Sequence, residues 1–317
     1  MLHKTHIFIL YGLIGLLFLL LFLKTSEKGE NTLHAEEITV ESSTGEVITF
    51  SIPEPRVRTF DLPQSITFAE EAVPLHINDV RERFEREIYV NAYWQSNMIL
   101  LMKRSYKYLP TIEKILHEQG IPDDFKYLAM AESGLMNVVS PAGARGFWQF
   151  MPATAKEHNL EVSDEVDERY HLEKSTLATC KYLKSSFAKF GNWTAVAASY
   201  NMGITGFGKR LQEQKQANYY DLLLNDETSR YLFRILAFKE IFENPEKYGF
   251  NLDQSERYQV PVLRELTVDQ DIDNLAAWSI KHNSNYKELK IHNPWLRSSK
   301  LKVKRGKEYI IKLPATN

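Results

Sequence analysis

Cysteine is almost absent from this chain: Cys180 is the single one in 317 residues. An intramolecular disulfide and a multi-cysteine metal centre are thereby excluded. The nine histidines are scattered, with no pair at ligand spacing on a predicted helix, so no metal is expected. Net charge is nearly absent too. Lys and Arg total 39 against 41 for Asp and Glu, a formal −2, which removes any global argument for nucleic acid as a partner. No internal repeat and no low-complexity tract is present. Cys180 itself lies in "LATCKYLKSSFAKF" with Leu177, Leu183, Phe187 and Phe190 at helical spacing, and reads as a buried core thiol.

What the chain does have is apolar content, 44%, enough for one substantial core with smaller appendages. The uncharged run 7–23, bracketed by Lys4 and Lys24, is near the short limit for crossing a bilayer. It ends Leu-Phe-Leu-Lys, without the small residues of a cleavage site, so 1–24 is expected to be an uncleaved signal-anchor. Residues 25–72, with Gly29, Gly45, Pro53, Pro55 and Pro63, read as a tether, within which "ITVESSTGEVITFSI" has the pattern of a hairpin. Helical periodicity dominates 78–249, within a domain placed at 73–250. It predicts helices over 81–93, 94–108, 111–119, 122–133, 152–159, 174–190, 193–201 and 227–242, an all-α domain. Residues 251–317 change to a short, basic, strand-like module.

In "FKYLAMAESGLMNVVSPAGARGFWQFMPATA" one carboxylate, Glu132, stands with no other until Glu157. On a helix over 122–133 it shares the face of Phe125, Leu128 and Ala129. Burial there and the negative end of the helix, before Gly134, both favour its neutral form, which suits a general acid. The plainer alternative is a glutamate at a helix end that reaches out to water. "SPAGARG" then supplies Gly143 and Gly146, where backbone can approach a ligand, and "GFWQF" sets Gln149 among aromatics that suit sugar rings. An apolar loop plugging a helical core would look the same.

The ordered motifs "AESGL", "SPAGARGFWQFMPATA", "AASYNMG" and "ETSRYLFRI" resemble those of lytic transglycosylases of glycoside hydrolase family 23, and the likeness covers 73–250. It implies a lysozyme-like (SLT) helical fold, needing no cofactor. The implied reaction is cleavage of the β-1,4 bond between N-acetylmuramic acid and N-acetylglucosamine in peptidoglycan. By the same resemblance Glu132 is the catalytic acid/base and Ser133 its usual neighbour. Ser140 contacts the reacting sugar, Gln149 and Met151 line the saccharide site, and Tyr200 with Asn201 and Glu227 with Tyr231 complete it. Trp148 stands where methionine is common and Ser199 where alanine is common. Hydrolytic glycosidases use two carboxylates. With one, the muramic 6-hydroxyl attacks the anomeric carbon itself, giving a 1,6-anhydro product. Glu157, Glu161 and Asp164 remain residues that could fold back as a second carboxylate, which would make a hydrolytic muramidase. A silent binding scaffold is the other alternative, against which the intact Glu132, Gln149 and Tyr200 speak.

The tail "IDNLAAWSIKHNSNYKELKIHNPWLRSSKLKVKRGKEYIIKLP" resembles a lysin-motif (LysM) module, with "DQDID" where glycine-aspartate usually opens the motif. Between 281 and 312 stand ten Lys or Arg against two Glu, a local +8 that suits anionic peptidoglycan or lipid headgroups. A solvated face is the bland alternative. The module is expected to add affinity for peptidoglycan without taking part in cleavage. The expected setting is a bacterial envelope, anchored in the inner membrane with the catalytic domain in the periplasm; the expected partners are glycan strands and membrane, with no nucleic acid.

Overall fold

The computed structural model describes the backbone of residues 36–41 and 47–52 and residues 58–315 in full. The run 7–23, read as an anchor, lies outside the described residues. Among the described residues no helix is long and apolar enough to cross a membrane. The chain divides into two compact units, one up to Thr59 and one from Phe60 to Asn317. In the first, β1 (Glu36–Glu41) pairs antiparallel with β2 (Val47–Ile52), Glu36 opposite Ile52. This is the expected hairpin.

The second unit opens earlier than the tether predicted for 25–72 allows. Leu62, Ile66 and Phe68 are buried in the main core, and a tight pair of strands, β3 (Thr67–Phe68) and β4 (Glu71–Ala72), follows. The segment has neither helical nor extended strand periodicity, and its anchorage depends on distant partners such as Phe125, whose ring lies 5.1 Å from that of Phe68. The helices are α1 (Asn78–Ala92), α2 (Gln95–Glu118), α3 (Lys126–Ser133), α4 (Pro152–Glu157), α5 (Leu172–Phe190), α6 (Trp193–Met202), α7 (Ile204–Gln214) and α8 (Asp226–Glu243). Helix α8 packs on α1, α3 and α6, and so forms the centre of the bundle.

Two predicted helices, 94–108 and 111–119, are one. Pro110 lies inside α2 and does not end it. Proline removes a helical hydrogen bond, yet Met98, Leu101, Met102, Ser105, Ile112, Ile115 and Leu116 form a single buried stripe across it. Tertiary packing overrides the local preference. Helix α7 was not foreseen: Ile204, Phe207 and Leu211 share one face at helical spacing, but Gly206 and Gly208 weaken the local helix preference. Cys180 is fully buried and its thiol is pushed up to about 11 by burial, as read; Leu177, placed on the same face, is instead 38% exposed.

Residues from Leu263 form a module of two antiparallel strands, β5 (Leu263–Val268) and β6 (Tyr309–Pro314), enclosing α9 (Leu275–Lys281) and α10 (Tyr286–His292). Its own core of Val268, Leu275, Leu289, Trp295, Leu296, Ile311 and Leu313 also takes in Val166 and Tyr170, which belong to the connection between α4 and α5.

Candidate active site

Helix α3 ends at Gly134, which is left-handed (φ 58°), followed by buried Leu135 in the same region (φ 56°). The Arg104 Nε donates to the Gly134 carbonyl at 2.8 Å, a cation on the negative end of the helix. Glu132 therefore sits in the last turn, half-buried, with its carboxylate accepting a hydrogen bond from the Tyr231 hydroxyl of α8. Burial raises its pKa from 4.5 to about 7; the Tyr231 bond and the Arg234 cation pull down, and Glu227 pushes up. A carboxylic acid that holds its proton near neutrality and can release it is suited to alternate between acid and base.

Around it the third and fourth motifs lock together. The Thr228 hydroxyl donates to Asn201 Oδ1 at 2.7 Å, and Asn201 Nδ2 donates to Glu227 Oε1 at 3.1 Å. Helix α8 starts on Asn225, whose side chain accepts from Thr228 N at 2.8 Å, so the cap that begins the helix also fixes Thr228. Helix α6 is capped twice, by Asn192 and by Glu71 of β4, whose carboxylate accepts from the Trp193 and Thr194 amides at 2.6 and 2.8 Å. At the other end of α6 the Tyr200 hydroxyl donates to the Trp148 carbonyl at 2.7 Å. Burial, and after it the Glu132 charge, hold Tyr200 neutral.

The loop between α3 and α4 is pinned from inside. Ser140 Oγ accepts from the Ala144 amide at 3.0 Å, and Gln149, left-handed at φ 49°, spends its Nε2 on the Gly146 and Val138 carbonyls at 2.7 and 3.2 Å. Trp148, fully buried, donates from Nε1 to Thr176 at 2.9 Å. Met151 is exposed at the start of α4.

The structure thus brings together Glu132, Tyr231, Asn201 and Glu227, and sets Tyr200, Gln149 and Ser140 on the adjoining loop contacts. Ser133 differs. Its side chain is buried and its hydroxyl donates inward to the Phe147 and Ala129 carbonyls at 2.8 and 3.1 Å, so it ties the loop to α3 and does not face a ligand. Of the three carboxylates that could have folded back, Glu161 turns to Tyr309 and Lys307 of the C-terminal module and is held below the usual carboxylate range, while Glu157 and Asp164 are exposed.

Sequence reasoning missed Glu87 of α1. Fully buried, it accepts from Arg230 Nε at 2.6 Å and pairs with Arg234 at 3.8 Å, holding on α8 the cation that moderates Glu132. The signal was available: Glu87 lies on the stripe of Val80, Phe84, Ile88 and Asn91, the same anomaly that singled out Glu132. Arg169 and Asp167 were missed as well.

Comparison with known proteins places these elements. Residues 111–223 match the family model described as the transglycosylase SLT domain, and residues 264–317 that of the soluble lytic transglycosylase C-terminal LysM-like domain. Membrane-bound lytic murein transglycosylase D of Escherichia coli K12 is 24% identical over 214 residues, 66% of this chain and 46% of the relative; that of Escherichia coli O6:H1 gives the same figures. The chain thus aligns with less than half the length of these curated relatives. Among solved structures, an inactive mutant of lytic transglycosylase Slt from Pseudomonas aeruginosa aligns with a TM-score of 0.37 and 17% identity, covering 59% of this chain and 36% of that one.

Proposed function

We propose that this chain, which carries a transglycosylase SLT domain followed by a LysM-like module, is a peptidoglycan lytic transglycosylase. It cleaves the β-1,4 bond between N-acetylmuramic acid and N-acetylglucosamine. The observation that carries the reading is Glu132, a carboxyl kept protonated near neutrality by burial and steadied by Tyr231. Glu132 protonates the bridging oxygen. The muramic 6-hydroxyl then attacks the anomeric carbon while Glu132 takes its proton, closing a 1,6-anhydro ring. No water and no second carboxylate enter, because the nucleophile is already part of the sugar. Gln149, Ser140 and Met151 line the saccharide path, and Asn201 and Tyr200 shape its wall. The same reading anchors the chain in the inner membrane through 7–23, with the catalytic domain in the periplasm.

A hydrolytic muramidase has one observation in its favour: the Glu227 carboxylate is near enough to raise the Glu132 pKa. Its bond to Asn201 argues for a structural use. Product identity separates the two. Purified sacculi treated with the full chain should release muropeptides ending in 1,6-anhydro-muramic acid, one water lighter by mass than hydrolysis products. Glu132→Gln should lower turnover by at least about 10²-fold while leaving the fold intact. Muramic acid with a free reducing end, together with loss of activity in Glu227→Gln, would establish hydrolysis instead.

A further inference from the structure

The connection between α4 and α5 belongs to two bodies at once. On one side it is part of the C-terminal module. Val166 forms a β-bridge with Leu296, the Asp167 amide donates to the Trp295 carbonyl at 2.9 Å, and the Arg297 amide donates to the Glu165 carbonyl at 2.8 Å. Val166 and Tyr170 are buried in the module's core, and the Arg297 guanidinium lies 4.2 Å over the Tyr170 ring. At the rim Glu161 accepts from the Tyr309 hydroxyl at 2.8 Å and pairs with Lys307.

On the other side the same stretch holds the loop that carries Ser140 and Gln149. Arg169, 2% exposed, forks onto both oxygens of buried Asp167 at 2.9 and 2.7 Å. Its Nη1 then reaches the carbonyls of Phe150 at 3.1 Å and Gly143 at 3.3 Å, near either end of the glycine-rich turn. Gly146, between them, lies so close that a Cβ would stand 1.9 Å from the Arg169 carbonyl oxygen. Phe147 of that loop, with Tyr170 and Trp295, lines the hollow where module and helices meet.

We propose that Asp167 and Arg169 are positioning residues for the substrate loop, and that the C-terminal module, by gripping the backbone of 165–167, sets where that loop stands relative to Glu132. This rests on the function proposed above. The physical reason is geometric: a buried fork has no freedom, so the loop inherits the placement of the segment, and an error of about 1 Å near reacting groups can cost about 10²-fold in rate. The module is therefore a structural part of the catalytic site, and glycan affinity is not its whole contribution.

Arg169→Lys keeps the charge beside Asp167 but offers one nitrogen in place of the fork. In the full chain we expect it to lower kcat by about tenfold or more, with KM within about twofold, and amide exchange across 140–151 to quicken by a similar factor. Because Arg169 lies in a buried pair, Glu161→Gln provides a second variant at the rim. It loosens the module at its rim, and should give a several-fold loss in kcat and a several-fold rise in loop exchange with the thermal midpoint nearly kept. Unchanged kcat and unchanged loop exchange in a folded Arg169→Lys overturn the proposal. If that variant does not fold, the same result in Glu161→Gln overturns it. Failure of the unmutated chain to release anhydro products would refute the function alone, since loop exchange still decides the positioning.

Discussion

In the reaction proposed above, Glu132 has to act as both acid and base. Because burial lifts its pKa from 4.5 to about 7, the protonated form that starts the reaction is abundant below that value, and turnover should fall as pH rises through it. The Tyr231 hydroxyl steadies the charged form. Tyr231→Phe should therefore move this fall to higher pH and lower the maximal rate by about tenfold, read from a pH–rate profile; a shift to lower pH would contradict the assignment. Stability follows the same sign. A carboxyl whose folded pKa is raised contributes fully below 4.5, and the contribution is lost as pH rises through about 7. Glu132→Gln, which cannot ionise, should unfold at a higher temperature than the unmutated chain at pH 8, the gap closing by pH 5. At this scale the sequence was informative where a residue broke a pattern. Glu132 was found because a carboxylate interrupted an apolar stripe, and Glu87 was equally findable. For Ser133, being next to Glu132 in sequence says nothing of which way its hydroxyl points, and here it points into the protein.

At the scale of elements, the helices were legible wherever a buried stripe ran three turns or more, as in α1, α5 and α8. They were misread where packing overrode a local signal, as at Pro110, or where glycines weakened one, as in α7. The loop between α3 and α4 was marked by its glycines, but their roles differ in a way that only the fold reveals. Both Gly143 (φ 90°) and Gly146 (φ 82°) are left-handed, yet a Cβ on Gly143 meets open space and one on Gly146 meets the Arg169 carbonyl oxygen at 1.9 Å. Gly143→Ala should cost about 1 kcal/mol of backbone strain. Gly146→Ala must displace the Arg169 backbone and should cost more than about 3 kcal/mol, measured by chemical denaturation of both variants. Equal costs would mean that the turn and the 167–170 segment are not packed as described.

For the molecule as a whole, the boundary at 251 follows composition, and packing adds Val166 and Tyr170 from the connection between α4 and α5 to the core of the later module. A change from helical periodicity to basic, strand-like sequence is visible along the chain; that Val166 and Tyr170 complete the later module's core is not, because it depends on residues more than a hundred positions away. Two bodies sharing such a core should unfold together. We expect a single calorimetric transition for 60–317, with equal calorimetric and van't Hoff enthalpies; two resolved transitions would show an independent module. The basic patch is also less available than its count suggests. Lys302 lies on Asp271 and Asp273, Lys307 on Glu161, and Lys312 on Glu173, so much of the local +8 is met by acids within the same unit.

The grip of the last strand on the middle of the chain has a consequence in time. Tyr309 of β6 binds Glu161 across a separation of 148 residues. During synthesis, which proceeds from the N-terminus, the helices that carry Glu132 and Tyr231 emerge well before β6, and segment 161–171 has no complete module to dock against until β6 follows. Closing so long a span is entropically slow to reward. A chain whose synthesis has not yet reached β6 would therefore hold Glu132 and Tyr231 on formed helices beside a loop still without its brace.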